Sequence, residues 1–180
     1  MSIESVDLRK EQKKIYIAIS ISLVFCILVQ IVFFLFLPQS LELPTDFSAR
    51  IAFALQASIF VLIWVVIGIG MVSHGRRHSA ADICGSAYAP PSPKIAVRVA
   101  FLQNTLEQAV IALGAYLALV TLLPPSFLTF IPASVVLFTI GRITFYIGYP
   151  NGADARAFGI ATTMLPTIAG YLWAIWLIVT

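Results

Sequence analysis

The chain has 180 residues, of which 60% are hydrophobic and 11% charged, with a formal net charge of +3. An ordinary soluble domain is about half apolar and about a quarter charged, so this composition excludes a soluble globular enzyme and calls for lipid as solvent. The positive excess does not indicate nucleic-acid binding, because the basic residues cluster at the edges of apolar stretches, where topology and anionic headgroups already account for them.

A bilayer core about 30 Å thick requires roughly 20 apolar residues per helical crossing. The first stretch that satisfies this is 15–37, an additional transmembrane helix ahead of the others, preceded by a segment 1–14 holding Glu4, Asp7, Glu11, Arg9, Lys10, Lys13 and Lys14. It is too long for a signal-peptide core, and no small-residue cleavage site follows it before Pro38. The second stretch, 51–73, leads into a connection, 74–97, whose Pro90, Pro91, Pro93, Gly75 and Gly85 predict an irregular loop. His74 and His78 in that connection stand four residues apart, but Arg76 and Arg77 between them disfavour a divalent ion, and no metal site is expected. Cys26 and Cys84 show no paired spacing and read as free thiols.

The third stretch, 99–123, is interrupted by Glu107, and the fourth, 128–149, by Arg142. The fifth, 157–178, is uncharged and carries Pro166, which predicts a kink that membrane helices tolerate. Barrel strands would be shorter and would alternate, so the reading is an all-α integral membrane protein. Lysine and arginine resist translocation, which places 1–14, 74–97 and the turn 150–156 in the cytoplasm and the C-terminus on the outer or lumenal side.

Charged groups inside a span face a partner or a wet cavity. Asn104, Glu107 and Gln108 fall on one helical face, with Gln103 one turn from Glu107, and Glu107 stands about 13 Å beyond Arg98. Arg142, Phe145, Tyr146 and Tyr149 make a cationic and aromatic stripe, followed across a turn by Arg156. One reading is a structural ion pair between Glu107 and Arg142, with Asn104 and Gln103 as packing hydrogen bonds. The other is a pocket for a small anionic ligand, in which Arg142 and Arg156 hold carboxylates and Tyr149 donates a hydrogen bond. Spacing does not choose between them.

The run Asn104-Thr-Leu-Glu107, followed by Gly141-Arg142, Gly148-Tyr149 and Arg156 in order, resembles the paired signatures of the MAPEG family, the membrane-associated proteins of eicosanoid and glutathione metabolism. The resemblance covers 51–178 and implies a left-handed four-helix bundle, a homotrimer, and glutathione held near the cytoplasmic surface between protomers. It implies that Asn104, Glu107, Arg142 and Tyr149 bind glutathione as co-substrate. Arg156 would stabilise its thiolate, for transfer to a lipophilic small molecule or reduction of a lipid peroxide arriving from the bilayer. The chain departs from the pattern at Ala100, where glutathione-using members carry an arginine, at Phe145, where tyrosine is common, and at Gln108. Arg98 lies about 240° around the helix from Asn104, so spacing leaves open whether it replaces the arginine missing at Ala100. The extra span resembles the five-span, mattrin-like branch, for which the alternative function is non-catalytic binding of a lipid or a partner.

Overall fold

A computed structural model describes residues 7–39 and 42–180, so residues 1–6 of the expected N-terminal segment lie outside the described residues. Five helices follow in order: α1 (Leu8–Phe36), α2 (Phe47–Arg77), α3 (Pro93–Leu122), α4 (Phe130–Gly148) and α5 (Ala153–Val179). Each is long and apolar enough to cross a membrane, and no strand occurs among the described residues.

Helices α1 to α3 run past the apolar stretches that announce them. Asp7 caps α1 by accepting from Lys10 N (3.4 Å), Asp46 caps α2 by accepting from Ala49 N (3.2 Å), and Pro93 opens α3 at its first position. A carboxylate at the cap and a proline at the first helical position both suit the unpaired N–H groups of a helix start. An apolar run measures hydrocarbon thickness, whereas a helix continues through the headgroup layer on charged residues that are themselves good helix formers. The expected irregular connection 74–97 accordingly shrinks to 78–92.

The core lies around α3, where Ala109, Ala112, Ala115, Tyr116 and Leu119 pack against Leu128, Ile131 and Phe138 from the start and middle of the α4 segment. Helix α2 lies chiefly along α3, and α4 chiefly along α5. The α4–α5 crossing is a backbone contact. A Cβ added at Gly159 would stand 2.3 Å from Phe145 N, one at Gly148 would stand 2.2 Å from the Ala155 carbonyl oxygen, and one at Gly141 would meet the Thr163 hydroxyl at 2.2 Å. Small residues that let backbones meet drive helix association in lipid, where the hydrophobic effect offers none.

Helix α1 docks on α5 and α4 through a narrow polar stripe, Ser22, Cys26 and Gln30, each four residues after the last. Ser22 Oγ meets Thr162 Oγ1 at 2.8 Å, the Cys26 thiol lies 3.8 Å from the Thr162 carbonyl oxygen, and Gln30 Nε2 donates to Ser134 Oγ at 3.0 Å. The Thr162 carbonyl is free for this contact because Pro166, four residues on, has no N–H to give it. Lys14 pairs with Asp154 at 3.6 Å, and Ser22 with Thr162 at the same sequence offset, so α1 and α5 run parallel and start at the same membrane face.

Candidate functional site

The basic residues Arg76, Arg77, Lys94, Arg98 and Arg156 gather where α2 and α4 end and α3 and α5 begin. Arg142 lies deeper and is fully buried. Its Nη1 donates to Asn104 Oδ1 (2.7 Å), and its Nη2 and Nε donate to Thr163 Oγ1 (2.8 and 3.3 Å). The guanidinium also rests 4.9 Å from the Phe145 ring centroid and 5.5 Å from that of Phe138. A planar cation sandwiched by aromatic faces and hydrogen-bonded at its edge suits a site without water.

The fold brings Asn104 and Arg142 together, but Glu107 is not the partner of Arg142. Glu107 is exposed, accepts only from Gln103 Nε2 (3.3 Å), and belongs to neither of the ion pairs among the described residues. The ion-pair reading fails for a geometric reason. Asn104 lies one turn closer to the start of α3 and faces α4 and α5, while Glu107 turns to the outer surface of the bundle.

Thr163 is the residue that sequence reasoning missed. It aims its hydroxyl at Arg142 because Gly141 and Gly159 let α4 and α5 touch, and it also donates to the Gly159 carbonyl (2.9 Å). Its signal was available as Gly159-x-x-x-Thr163, one turn of a helix that meets the glycine preceding Arg142.

Toward the basic end the aromatic stripe continues. Phe145 stands edge-on to Tyr149 (5.3 Å) and stacks near Phe101 (6.2 Å), and Tyr146 meets Phe101 edge-on (5.2 Å). The Arg156 guanidinium lies 4.7 Å from the Tyr149 ring centroid, so the two residues are neighbours across the turn made by Gly152, whose φ of +118° favours glycine. Both are partly exposed, and no carboxylate pairs with Arg156 among the described residues, since nearby Asp154 is engaged by Lys14. Arg98 turns toward α2. It donates to the Met71 carbonyl (3.4 Å) and lines, with His74 and Tyr146, a cavity of about 480 Å³.

The 78–92 loop is fixed by Asp82, which is buried. Its carboxylate accepts from Ser79 Oγ, from Ser92 Oγ (2.6 Å) and from Ser92 N (2.8 Å). These bonds, that of Ser79 foremost, hold the Asp82 carboxyl below its ordinary range. The loop also takes Lys94 Nζ on the His78 carbonyl (2.8 Å), and His78 Nδ1 is bonded to the His74 carbonyl (2.8 Å), which leaves that ring one nitrogen for other partners. No group of three or more His, Cys, Asp or Glu side chains placed to hold a metal occurs among the described residues.

A family model described as "MAPEG family" matches residues 51–176. The match takes in α2 to α5 and leaves α1 outside it. No curated protein and no solved structure matches the chain.

Proposed function

The chain belongs to the MAPEG family, and from that premise we propose that it binds glutathione at the basic end of the bundle and acts as a glutathione transferase or peroxidase on lipophilic substrates. The observation that carries the proposal is Arg156, an accessible guanidinium stacked on Tyr149 and free of any carboxylate partner among the described residues. A cation held beside a thiol lowers its pKa, so Arg156 favours the thiolate that attacks an electrophilic carbon or a peroxide oxygen. Tyr149 offers a phenolic O–H for the thiolate or the departing group, and its ring fixes the Arg156 plane.

Glutathione also carries an ammonium group and two carboxylates. Glu107, exposed and without a cation among the described residues, suits the ammonium. Arg142 fits a different role from the one its sequence position implies. With three hydrogen bonds to Asn104 and Thr163, it fixes the Asn104 amide, whose nitrogen stays available to a ligand carboxylate.

The same exposed Glu107 supports a homotrimer. With Gln103, Leu106 and Val110 it forms a surface of α3 that a bilayer solvates poorly, because a carboxylate within the hydrocarbon is costly. A neighbouring copy covers that surface and encloses the ligand between protomers. Non-catalytic binding of a lipid or partner is the competing function, and Phe145 favours it, since a phenyl ring packed under Arg142 replaces a possible hydrogen-bond donor.

Detergent-purified protein is expected to gain thermal stability saturably with millimolar glutathione and with its S-methyl analogue, because a ligand of the folded state must stabilise it. Arg156→Ala is expected to lower kcat by about 10²–10³-fold, the effect of removing one stabilising donor from a developing anion. Unchanged stability with both ligands, in a monodisperse sample, favours the non-catalytic function.

A further inference from the structure

Helix α1 lies outside the family match, yet it builds a groove with α5 that ends at Arg156. The groove holds about 340 Å³ and is walled by Ile15 and Ile19 from α1 and by Ala157, Ile160, Met164 and Ile168 from α5, with Arg156 as its one charged residue. Along α5 the wall from Ala153 to Ile168 rises about 22 Å, somewhat more than the roughly 15 Å of one leaflet of hydrocarbon. The cationic end is level with Lys14 and Asp154, at the start of both helices, where the headgroups of that leaflet lie.

We propose that this groove is a binding site for an anionic phospholipid of that leaflet, with one acyl chain between α1 and α5 and the phosphate on Arg156. Three observations select this occupant. The α5 wall is apolar for the depth of a leaflet, with Ile15 and Ile19 of α1 flanking its headgroup end, which fits an acyl chain and not a soluble peptide or nucleotide. Its single charge is an arginine whose planar, multiply donating head matches a phosphate, and no acidic side chain among the described residues neutralises it. The volume lies at the low end of the range for small-molecule pockets and accommodates one chain, not a bulky ring system. The site is a property of α1 as much as of the family bundle, and it shares Arg156 with the proposed glutathione site, so a lipid phosphate and a glutathione thiolate compete for that cation.

The test uses the full chain in detergent without glutathione. Phosphatidylglycerol is expected to be retained in native mass spectrometry and to raise the melting temperature saturably, with a preference of about fivefold over phosphatidylcholine of the same chains, as befits one cation at an anionic headgroup. A photoactivatable acyl chain on phosphatidylglycerol is expected to crosslink to peptides bearing Ile15–Ile19 and Ala157–Ile168, a readout on the unaltered protein. Ile19→Trp and Met164→Trp, which fill the groove from opposite walls, are expected to abolish the preference, while Ile17→Trp on the exposed face of α1 retains it. Equal retention of both lipids, crosslinks confined to other helices, a preference that survives in both groove variants, or an equal shift with inorganic phosphate or free oleate would each overturn the assignment. The assay contains no glutathione and the groove variants leave Arg156 unchanged, so failure of the lipid site and failure of the glutathione reading are told apart by the two experiments.

Discussion

Arg142 carries its charge into a place that water does not reach, so its hydrogen-bond partners are costly to remove. Asn104→Leu leaves Nη1 without its acceptor, and the expected cost is about 1–3 kcal/mol of unfolding free energy, the penalty of an orphaned buried donor. Glu107→Gln, at an exposed position with a single weak hydrogen bond, is expected to change protomer stability by less than about 0.5 kcal/mol in the same denaturant titration. A reversed order of these two effects would remove the distinction drawn between a structural Arg142 and a ligand-facing Glu107.

At Asp82 the sign of the pH dependence follows from hydrogen bonds to the ionised form. The folded carboxyl sits below its unfolded value near 4, so its contribution is complete above about pH 4 and is lost as pH falls through the lower, folded pKa. The protection factor of the Ser92 amide, its exchange rate relative to the unstructured rate at the same pH, is expected to be high and flat from neutral pH down to about pH 5, to fall in the acid range, and to be low throughout in Asp82→Asn.

The residue types of the site were legible in the sequence, because a charge inside an apolar span is costly and faces a partner or a wet cavity. Their partners were less so. Helical spacing put Asn104 and Glu107 on one face about 60° apart, and only the approach of α4 and α5 decided that the first turns inward and the second outward. Asp82 carries no such signal, since nothing local marks a carboxylate that reaches a serine ten residues away.

At the scale of elements, the α4–α5 crossing is set by glycines that a periodicity count treats as neutral. Gly159→Ala would thrust a methyl group into the Phe145 backbone, and overpacking of this kind costs about 1–3 kcal/mol. The expected result is a clear fall in melting temperature with loss of glutathione-induced stabilisation, since separating the helices also moves Thr163 from Arg142. Gly70→Ala, where an added Cβ meets nothing within 4 Å, is expected to be neutral or slightly stabilising.

The five spans were readable from apolar length alone, and their ends were not, because caps at Asp7 and Asp46 lie beyond the hydrocarbon that length measures. The inward face of α1 was also overlooked. Its polar stripe of Ser22, Cys26 and Gln30 is diluted by isoleucine and phenylalanine on every other face, so hydropathy reports a uniformly greasy helix and hides the side that docks.

For the whole molecule, the polar outer surface of α3 is the feature that one protomer leaves unresolved. The purified protein is expected to have the mass of three chains in light scattering corrected for detergent, and Gln103→Cys is expected to crosslink between copies while Ile17→Cys does not. A monomeric mass in a folded, glutathione-stabilised sample would move the ligand into a single protomer.

The partnership of α1 with α5 has a consequence for how the protein is made. Ser22 and Thr162 are 140 residues apart, so at about 5–20 residues per second a ribosome delivers the second roughly 7–28 s after the first. Throughout that interval the Ser22 hydroxyl and the Cys26 thiol lack their α5 partner, whereas Gln30 meets Ser134 of α4 earlier. The polar stripe of α1 is therefore completed last to first: docking of α1 waits on the final helix of the chain.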